Sequence, residues 1–354
     1  MRVLQIGADR SKRGILFPGS PAYMRQKAYA ENFGALDIIG CSLKKDGAAP
    51  SRSGNLAVYP TNAPFKLFYG TYALMIARTL EKPDVVSAQD PHSCGLLALW
   101  IARWRGVPLH IQVHTDIFAI SYGLHSVANS LKLHIAFYVL KKADGIRVVS
   151  ERVKEHIEAR LTPKRPIKVL PIFTDIERLR SQSADPTFAN RFSSFTIKLL
   201  FVGRLEPEKN CAAAIRAFAE AAPRDACLIV VGTGHDREAL EALAREKDVA
   251  DRVFFEGEKD AAPYYALIDL LLVTSVYEGY GMAIVEALGA RKPVLSTDVG
   301  IAREAGAIIA EGDFAEALGA WFKSGPRHAA LASYPYKTFD EYVAAYCDDI
   351  RGIV

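Results

Sequence analysis

The sequence has few of the features that mark secreted or membrane-spanning proteins. Its five cysteines occur singly among mostly apolar neighbours, without a C-x-x-C pair, as is typical of reduced core thiols. No apolar run approaches the roughly 20 residues needed to span a bilayer. Met1 is followed at once by the strand-like run V-L-Q-I-G, which leaves no room for a signal peptide. We therefore expect a cytoplasmic location.

Three absent motifs narrow the classes of function. Neither half carries G-x-G-x-x-G after its first strand, because the chain reads I-G-A-D-R-S in one half and V-G-R-L-E-P in the other, which disfavours a dinucleotide oxidoreductase. The chain lacks a D-x-D carboxylate pair in a metal-holding context, so the sequence predicts no metal site and no cofactor. Basic residues are dispersed and no nucleic-acid motif is present, so a nucleic-acid partner is not expected.

Length and strand pattern predict two α/β domains. At 354 residues and 38.8 kDa, with half its residues apolar, the chain exceeds the size of a single growing core. Strands alternate with helical stretches in both halves, which favours two mostly parallel, doubly wound sheets. The predicted strands are Val3–Ile6, Asp84–Ala88, Leu109–Val113, Gly145–Val149, Ile197–Val202, Cys227–Val231, Val253–Phe255 and Leu270–Thr274.

The most informative segment is the run S-V-Y-E-G-Y-G-M-A-I-V-E-A-L-G, in which seven residues separate Glu278 from Glu286. It indicates a glycine-punctuated loop with Gly279 and Gly281, followed by a helix that carries Glu286. Such a loop directs backbone N–H groups and a positive helix end toward an anion. The two carboxylates offer only acceptors and suit sugar and ribose hydroxyls, although this spacing also occurs by chance in amphipathic helices.

A second strand-to-loop transition carries positive charge. The predicted strand Ile197–Val202 runs directly into G-R-L-E-P-E-K-N, and a helix is expected to begin with Asn210 as its N-cap. Arg204 and Lys209 therefore flank a strand-to-helix turn, where a diphosphate would lie.

These segments together carry a resemblance. The runs F-V-G-R-L-E-P-E-K-N, V-V-G-T-G, R-V-F-F-E-G and S-V-Y-E-G-Y-G-M-A-I-V-E-A-L-G-A-R-K-P-V resemble the donor-binding half of retaining glycosyltransferases of group 1, or family 4. The similarity is specific over residues 199–300 and weaker over the first half. It implies the GT-B architecture, with two Rossmann-like domains facing a central cleft, and a metal-independent transfer from a nucleoside-diphosphate sugar to a hydroxyl acceptor.

The resemblance also implies a division of the chain. Residues 1–172 would form the acceptor-side domain, residues 173–196 a polar linker, and residues 197–336 the domain that binds the nucleotide sugar. A final helix near residues 337–354 would pack back on the first domain, because apolar side chains recur there at helical spacing.

Site residues follow from the same resemblance. Arg204 and Lys209 would stabilise the diphosphate, Glu278 would hold donor-sugar hydroxyls, Glu286 would hold the ribose, and His114 would contact the donor sugar. The predicted catalytic set is therefore Arg204, Lys209, Glu278 and His114. The predicted donor-binding set is Gly19, Gly203, Gly232, Gly257, Gly279, Tyr280, Gly281, Met282, Ala283 and Glu286.

The first half departs from the family at one point. Many relatives have a glycine pair after the first strand, whereas this chain has only Gly14 and Gly19, followed by Ser20 as a predicted N-cap. His114 closes a predicted strand, where a structural role is the alternative reading, and His110 within that strand is read as structural. The irregular stretch 122–132 is a candidate wall of the acceptor site.

The distribution of charge between the two halves of the chain suggests what kind of acceptor it uses. Residues 1–185 hold 26 Lys and Arg against 15 Asp and Glu, whereas residues 186–354 hold 18 against 25. The basic first half suggests an anionic acceptor, such as a lipid-linked sugar, or an anionic membrane leaflet, although ordinary solvated surface would give the same excess. Two alternatives to transfer stay open: a GT-B nucleotide-sugar 2-epimerase, and a non-catalytic subunit that binds nucleotide sugars.

Overall fold

The chain forms two compact units. The computed structural model describes residues 1–8, 11, 14–119, 122–123, 127–183 and 190–354. Unit 1 comprises Met1–Pro171 and Tyr336–Val354, and unit 2 comprises Ile172–Pro335. The segment 173–196, which the sequence suggests as a linker, clusters with unit 2, and its helix Ile176–Ser181 lies against Gly289 of that unit.

Unit 1 is built on an eight-stranded sheet. Its strands are β1 Arg2–Gly7, β2 Ala35–Gly40, β3 Ser51–Ser53, β4 Leu56–Pro60, β5 Val85–Ala88, β6 Leu109–Val113, β7 Gly145–Val148 and β8 Lys168–Val169. The α-helices of this unit whose bounds the structure describes include α1 Pro21–Phe33, α2 Tyr69–Thr79, α3 Ser93–Arg105, α4 Val127–Leu140 and α5 Glu151–Glu158. The strand order is β3-β4-β2-β1-β5-β6-β7-β8, and every pair is parallel except β3 with β4.

Unit 2 is built on a six-stranded parallel sheet. Its strands are β9 Ile197–Val202, β10 Ala226–Val231, β11 Val253–Gly257, β12 Leu270–Val273, β13 Val294–Ser296 and β14 Ile308–Ile309. Its helices are α6 Ile176–Ser181, α7 Cys211–Ala221, α8 Arg237–Glu246, α9 Ala262–Leu267, α10 Met282–Gly289, α11 Ala302–Ala305 and α12 Phe314–Ser324. A final helix of unit 1, α13 Phe339–Arg351, follows. None of the helices that the structure describes is long and apolar enough to cross a membrane.

The order of the second sheet determines where its loops converge. The strands run β11-β10-β9-β12-β13-β14, so the direction of winding reverses between β9 and β12. Every residue of β10 and β12 is buried, as expected when helices cover both faces of a parallel sheet. In such sheets, ligands bind outside the carboxyl ends of the two strands at the reversal. A ligand-binding site is therefore expected at the loops after β9 and β12.

Polar side chains tie α13 to the first sheet. The Tyr346 hydroxyl donates to Gln5 Oε1 at 3.0 Å and accepts from Gln112 Nε2 at 2.8 Å. The buried imidazole of His110 lies 3.0 Å from Ser87 Oγ and 3.1 Å from Asp349 Oδ2. These bonds explain why polar residues interrupt otherwise apolar strands.

A buried cation, Arg147, lies between α13 and the first sheet. The Arg147 guanidinium is fully enclosed and donates to Gln112 Oε1 and to the Tyr342 hydroxyl, each at 3.1 Å. Its central carbon lies 4.9 Å from the centre of the Tyr346 ring, within the range of a cation–π contact. Burial would raise the pKa of Tyr342, but the charges of Arg147 and Arg25 and the hydrogen bonds from Tyr29 and Arg147 together leave that pKa lowered.

We predict that Tyr346→Phe destabilises unit 1 measurably. The change removes one hydroxyl, which leaves Gln5 Oε1 without its donor and Gln112 Nε2 with only Ser87 Oγ as an acceptor, at a cost of about 1–3 kcal/mol. Urea denaturation followed by circular dichroism measures the loss. Tyr72→Phe, at a half-buried position on α2, is the matched control and should change stability by less than about 0.5 kcal/mol. If the two variants are equally stable, the hydrogen bonds of the Tyr346 hydroxyl contribute no net free energy of folding.

Candidate active site

A backbone hydrogen bond holds the turn after β9 against the loop after β10. Leu205 is fully buried, and its N–H donates to the carbonyl of Thr233 at 2.9 Å. A short 3₁₀ turn, Pro207–Lys209, then leads into α7. This anchoring fixes the backbone on either side of Arg204 and Lys209.

Asn210 is the N-cap residue of α7, as the sequence predicts, but its side chain makes no capping hydrogen bond. Its backbone is left-handed, with φ 49° and ψ 46°. A capping side chain requires an extended backbone, which the end of the preceding 3₁₀ turn prevents. The Asn210 carbonyl instead accepts a hydrogen bond from Thr274 Oγ1 at 2.8 Å.

Side chains and backbone join the loops after β9 and β12. Thr274 Oγ1 also lies 3.3 Å from the Lys209 carbonyl, and the N–H of Val276 donates to the Glu208 carbonyl at 2.8 Å. Both loops follow the strands at the winding reversal of the second sheet. Functional groups on the two loops are therefore held in one place.

An ion pair occupies this junction. Lys209 Nζ contacts Glu278 Oε1, and Ser275 Oγ donates to the same oxygen at 2.8 Å. The two charged side chains retain 21% and 15% of their exposure, so they remain reachable by a ligand. Lys209 and Glu278 therefore lie together. They are far apart in sequence, and the resemblance assigns them separate roles.

Arg204 lies on the outer side of the same turn. Its Nη2 is 2.6 Å from Glu208 Oε1, and 70% of its side chain is exposed. A surface pair of this kind contributes about 0–1 kcal/mol to stability, so the guanidinium can exchange partners at little cost. A bound anion is one such partner.

The predicted glycines line the carboxyl ends of adjacent strands. Gly203, Gly232 and Gly257 follow or end β9, β10 and β11, and the Gly232 N–H donates to the Gly257 carbonyl at 2.8 Å. Gly232 has φ 147°, and a Cβ there would lie 1.8 Å from the carbonyl oxygen of Gly203. Only glycine fits this close approach of two strand ends.

The helix α10 begins at the edge of the junction. Gly281 is its N-cap residue, with φ 95°, and Met282 and Ala283 form its first turn. The preceding Gly279 and Tyr280 are buried, and the Tyr280 carbonyl accepts from the N–H of Ile301 at 3.0 Å. The predicted donor-binding residues 279–283 thus form the start of a helix, whose N–H groups and dipole favour an anion.

Glu286 has a partner that the sequence did not indicate. Its Oε2 accepts a hydrogen bond from the hydroxyl of Tyr265, a fully buried residue on α9, at 2.8 Å. Burial raises the pKa of Glu286, and the bond from Tyr265 opposes that rise. No motif points to Tyr265, because its contact depends on how α9 packs against α10.

Unit 1 holds the remaining predicted residues. His114 directly follows β6, and the residue is exposed. Desolvation lowers its pKa to about 3, and the charges of Arg147 and Arg25 act in the same direction. His114 is thus neutral at physiological pH and can both donate and accept one hydrogen bond.

The loop before α1 is partly described. Gly19 has φ 83°, and Ser20 caps α1 by accepting from the N–H of Tyr23 at 3.1 Å while donating to the Gly14 carbonyl at 2.7 Å. Residues 9, 10, 12 and 13 of this loop lie outside the described residues, as do 124–126 of the predicted acceptor stretch 122–132. Within the described part of the chain, no group of three or more His, Cys, Asp or Glu could hold a metal ion.

Comparison with protein families matches both units. Residues 37–178 match Glycosyltransferase Family 4, and residues 196–323 match Glycosyl transferases group 1. Solved structures confirm the predicted GT-B fold class. Anabaena HepE in complex with UDP and glucose has a TM-score of 0.71 at 18% identity over 99% of this chain and 96% of that one. Sucrose-phosphate synthase from Thermosynechococcus elongatus has a TM-score of 0.74 at 16% identity over 99% and 97%.

Curated relatives are similar over part of their length. The chain is 32% identical to 2-deoxystreptamine glucosyltransferase of Streptomyces kanamyceticus, over 56% of this chain and 55% of the relative. It is 26% identical to alpha-monoglucosyldiacylglycerol synthase of Streptococcus pneumoniae, over 63% and 54%. It is 27% identical to GDP-mannose-dependent alpha-mannosyltransferase of Mycobacterium tuberculosis, over 70% and 64%. The match therefore spans between half and two thirds of these relatives.

The pKa values of two histidines should depart from that of a free histidine in opposite directions. His114 should show no protonation step between pH 5 and 8, because desolvation lowers its pKa to about 3. The exposed His235 should remain protonated to a higher pH than a free histidine, because a hydrogen bond from its ring to Glu206 raises its pKa. Proton–carbon NMR of the imidazoles, assigned with His114→Gln and His235→Gln, measures both. A midpoint near 6.5 for His114 would contradict the neutral state.

Proposed function

Because the chain belongs to the glycosyltransferases of group 1 and family 4, we propose that it transfers a sugar from a nucleoside-diphosphate sugar to a hydroxyl group. In this proposal the reaction is metal-independent and retains the configuration at the anomeric carbon. Unit 2 binds the donor, and unit 1 receives the acceptor. Neither the sugar nor the base is assigned.

The observation that carries this proposal is the convergence of opposite charges at the winding reversal of the second sheet. Lys209 and Glu278 meet there, Arg204 lies on the same turn, and α10 begins beside them. A nucleoside-diphosphate sugar presents the complementary chemistry, since its phosphates are anionic and its sugar is rich in hydroxyls. The names of the relatives, which include enzymes dependent on GDP-mannose, agree with such a donor.

The positive groups act on the leaving group. Cleavage of the bond from the anomeric carbon to the phosphate oxygen leaves its electron pair on the nucleoside diphosphate. Arg204 and Lys209 stabilise this charge, together with the N–H groups at the start of α10. Preorganised groups of this kind are worth about 3–4 kcal/mol each when removed singly. Lys209 can shift from Glu278 to the phosphate as the donor binds.

The carboxylates orient the donor. Glu278, held by Ser275, accepts hydrogen bonds from donor-sugar hydroxyls, and Glu286, held by Tyr265, accepts from the ribose. Neutral His114 contributes a hydrogen bond to the sugar. The acceptor hydroxyl attacks the anomeric carbon from the side that the diphosphate leaves, and a phosphate oxygen takes its proton. Glu278 therefore has no nucleophilic role.

The acceptor belongs to cell-surface glycan or glycolipid precursors in this proposal. The positive balance of residues 1–185 suits an anionic acceptor. One relative is named for synthesis of a glucosylated diacylglycerol. A reaction at the cytoplasmic side, with contact to the inner face of the membrane, fits both observations.

Removal of either positive group should impair transfer without unfolding the protein. Arg204→Ala and Lys209→Ala should each lower kcat by on the order of 100-fold or more, because each removes charge stabilisation of the leaving diphosphate. Arg216→Ala, at an exposed position on the following helix α7, is the matched control. Release of nucleoside diphosphate with purified acceptor candidates measures the rates. Activity of both variants within a fewfold of the control would exclude the charge clamp.

A donor-only incubation separates transfer from isomerisation. Conversion of the nucleotide sugar to its epimer without any acceptor would identify a 2-epimerase. Binding of donor with neither product would identify a binding subunit.

Chelation should leave initial rates nearly unchanged. The sequence has no D-x-D pair in a metal-holding context, and Arg204 and Lys209 supply the positive charge that a divalent ion would otherwise provide. Initial rates with excess EDTA are compared with rates in untreated buffer. Complete loss of activity that manganese or magnesium restores would contradict metal independence.

A further inference from the structure

Three neighbouring helical segments of unit 1 carry positive charge without any negative charge. Residues 65–80, 93–108 and 127–143 include helices α2, α3 and α4 and contain no Asp or Glu. Their seven basic residues are Lys66, Arg78, Arg103, Arg105, Lys132, Lys141 and Lys142. The basic excess of the first half is therefore concentrated here.

The same segments expose large apolar side chains. Of the eleven large hydrophobic residues that are exposed in the described part of the chain, eight lie on these three segments. Leu67 is 88% exposed and Phe65 is 70% exposed, and the tryptophans of α3, Trp100 and Trp104, are each about half exposed. The other four are Phe68, Met75, Leu131 and Tyr138. Monomeric proteins rarely leave such side chains together in water unless they bind something.

Helical spacing aligns these side chains on the outer face of each helix. Met75 and Arg78 are one turn apart on α2, as are Trp100 and Trp104 on α3. On α4, Leu131 and Tyr138 are two turns apart.

Direct contacts place the three outer faces side by side. The Arg78 guanidinium lies 5.9 Å from the centre of the Trp104 ring, which joins α2 to α3. Arg103 Nη1 lies 3.4 Å from the hydroxyl of Tyr138, which joins α3 to α4. The outer faces of α2, α3 and α4 therefore adjoin near their carboxyl-terminal ends. We call the exposed residues of 65–80, 93–108 and 127–143 the basic aromatic face.

We propose that the basic aromatic face binds the surface of an anionic lipid bilayer. Tryptophan and tyrosine favour the membrane–water interface because one end of each ring is apolar and the other polar. Lys and Arg can lay their stems on the apolar region while their charges reach lipid phosphates. This interaction goes beyond the proposed transfer, because it requires neither a donor nor a reaction.

Two observations favour a bilayer over a protein partner. The apolar side chains are interspersed with cations across three helices, whereas a protein interface concentrates its apolar residues in a core from which charges are depleted. The cations of these three segments, with no carboxylate among them, also complement a surface of uniform negative charge.

Not every cation of unit 1 is available to this face. Arg103, Lys141 and Lys142 are exposed and belong to it. Arg105 is half-buried and donates to the carbonyls of Ala77 and Leu80. Lys164 pairs with Asp144 at 2.7 Å, and Arg165 donates to the carbonyl of Gly352. Arg105, Lys164 and Arg165 are therefore engaged within the fold.

Vesicle binding of the whole chain tests the proposal. The purified protein should sediment with vesicles of phosphatidylcholine containing 30% phosphatidylglycerol and not with phosphatidylcholine alone. Binding should weaken as salt rises from 0.1 M to 1 M, because the Debye length falls from about 10 Å to about 3 Å.

Tryptophan fluorescence reports the orientation. Two of the three tryptophans, Trp100 and Trp104, lie on the face, whereas Trp321 is buried in unit 2. Vesicles with brominated acyl chains should therefore quench emission. Quenching should disappear in Trp100→Phe/Trp104→Phe even where that variant still sediments.

Matched variants separate the face from general charge. Arg103→Gln/Lys141→Gln/Lys142→Gln should weaken binding by up to about 100-fold, because each cation near a membrane contributes about a fivefold change and three such changes multiply. Arg224→Gln/Arg245→Gln/Lys323→Gln removes the same charge from exposed positions of unit 2 and should bind as the wild type does. Phe65→Ser/Leu67→Ser should lose the binding that persists at 1 M salt.

Circular dichroism and a thermal shift with UDP or GDP confirm that each variant folds and binds nucleotide. The nucleotide shift also separates failure of this proposal from failure of the proposed function. Equal vesicle binding by both charge variants, or none at low salt, would overturn the proposal. Dimerisation that the Phe65→Ser/Leu67→Ser variant abolishes, without vesicle binding, would assign the face to a second copy of the chain.

Discussion

The reversal of winding between β9 and β12 is the constraint from which the site in unit 2 follows. Parallel strands place all their carboxyl ends at one edge, and helices that pack on opposite faces leave a gap where the winding direction changes. Buried apolar strands fix this geometry, and the loops that follow β9 and β12 have to meet there. Thr274 joins them through the carbonyls of Lys209 and Asn210. The charged residues are thus held by the sheet before any ligand arrives.

The ion pair at this junction sets the electrostatics of the unliganded site. Lys209 and Glu278 neutralise one another, so neither charge is left unpaired in a partly buried place. A donor that offers a phosphate to Lys209 and hydroxyls to Glu278 replaces the pair with two new contacts. In the proposed function, a free phosphate is a poorer ligand than the donor, because it would occupy Lys209 but leave the Glu278 carboxylate with only the hydroxyl of Ser275 as a partner. Glu286 differs, since the neutral hydroxyl of Tyr265 opposes the effect of burial on its pKa without competing for a cation.

Much of the sheet could be predicted from the sequence, because apolar runs of strand length report burial directly. The bounds of β6 and β9 agree with the prediction, and β12 ends one residue earlier, at Val273. The conformation of the loops was harder to predict from the sequence. The capping role expected of Asn210 depends on its backbone angles, and these are set by the 3₁₀ turn before it rather than by residue type. The roles assigned to the individual site residues stay predictions.

The sequence predicts the return of the final helix to unit 1, but not the individual side-chain contacts between distant segments. Tyr265 reaches Glu286 only because α9 packs beside α10, and Arg147 is enclosed only because α13 returns to the first sheet. In sequence, Arg147 reads as one more surface charge, yet it donates to Gln112 and lies over the ring of Tyr346. A count of charges per half therefore overstates the positive surface of unit 1 by including cations that serve its interior.

The distribution of the remaining charge is more informative than its sum. An ordinary solvated surface mixes both signs, because interspersed acids and bases limit repulsion in the folded state. The three helical segments of the basic aromatic face do not mix them, and they also expose Leu67 and two tryptophans. Repulsion among cations and hydration of apolar rings both disfavour such a surface in water. Lipid phosphates reduce the repulsion among the cations, and the apolar layer beneath the phosphates removes the apolar rings from water. A single anionic bilayer therefore accounts for both the cations and the exposed apolar side chains of this face.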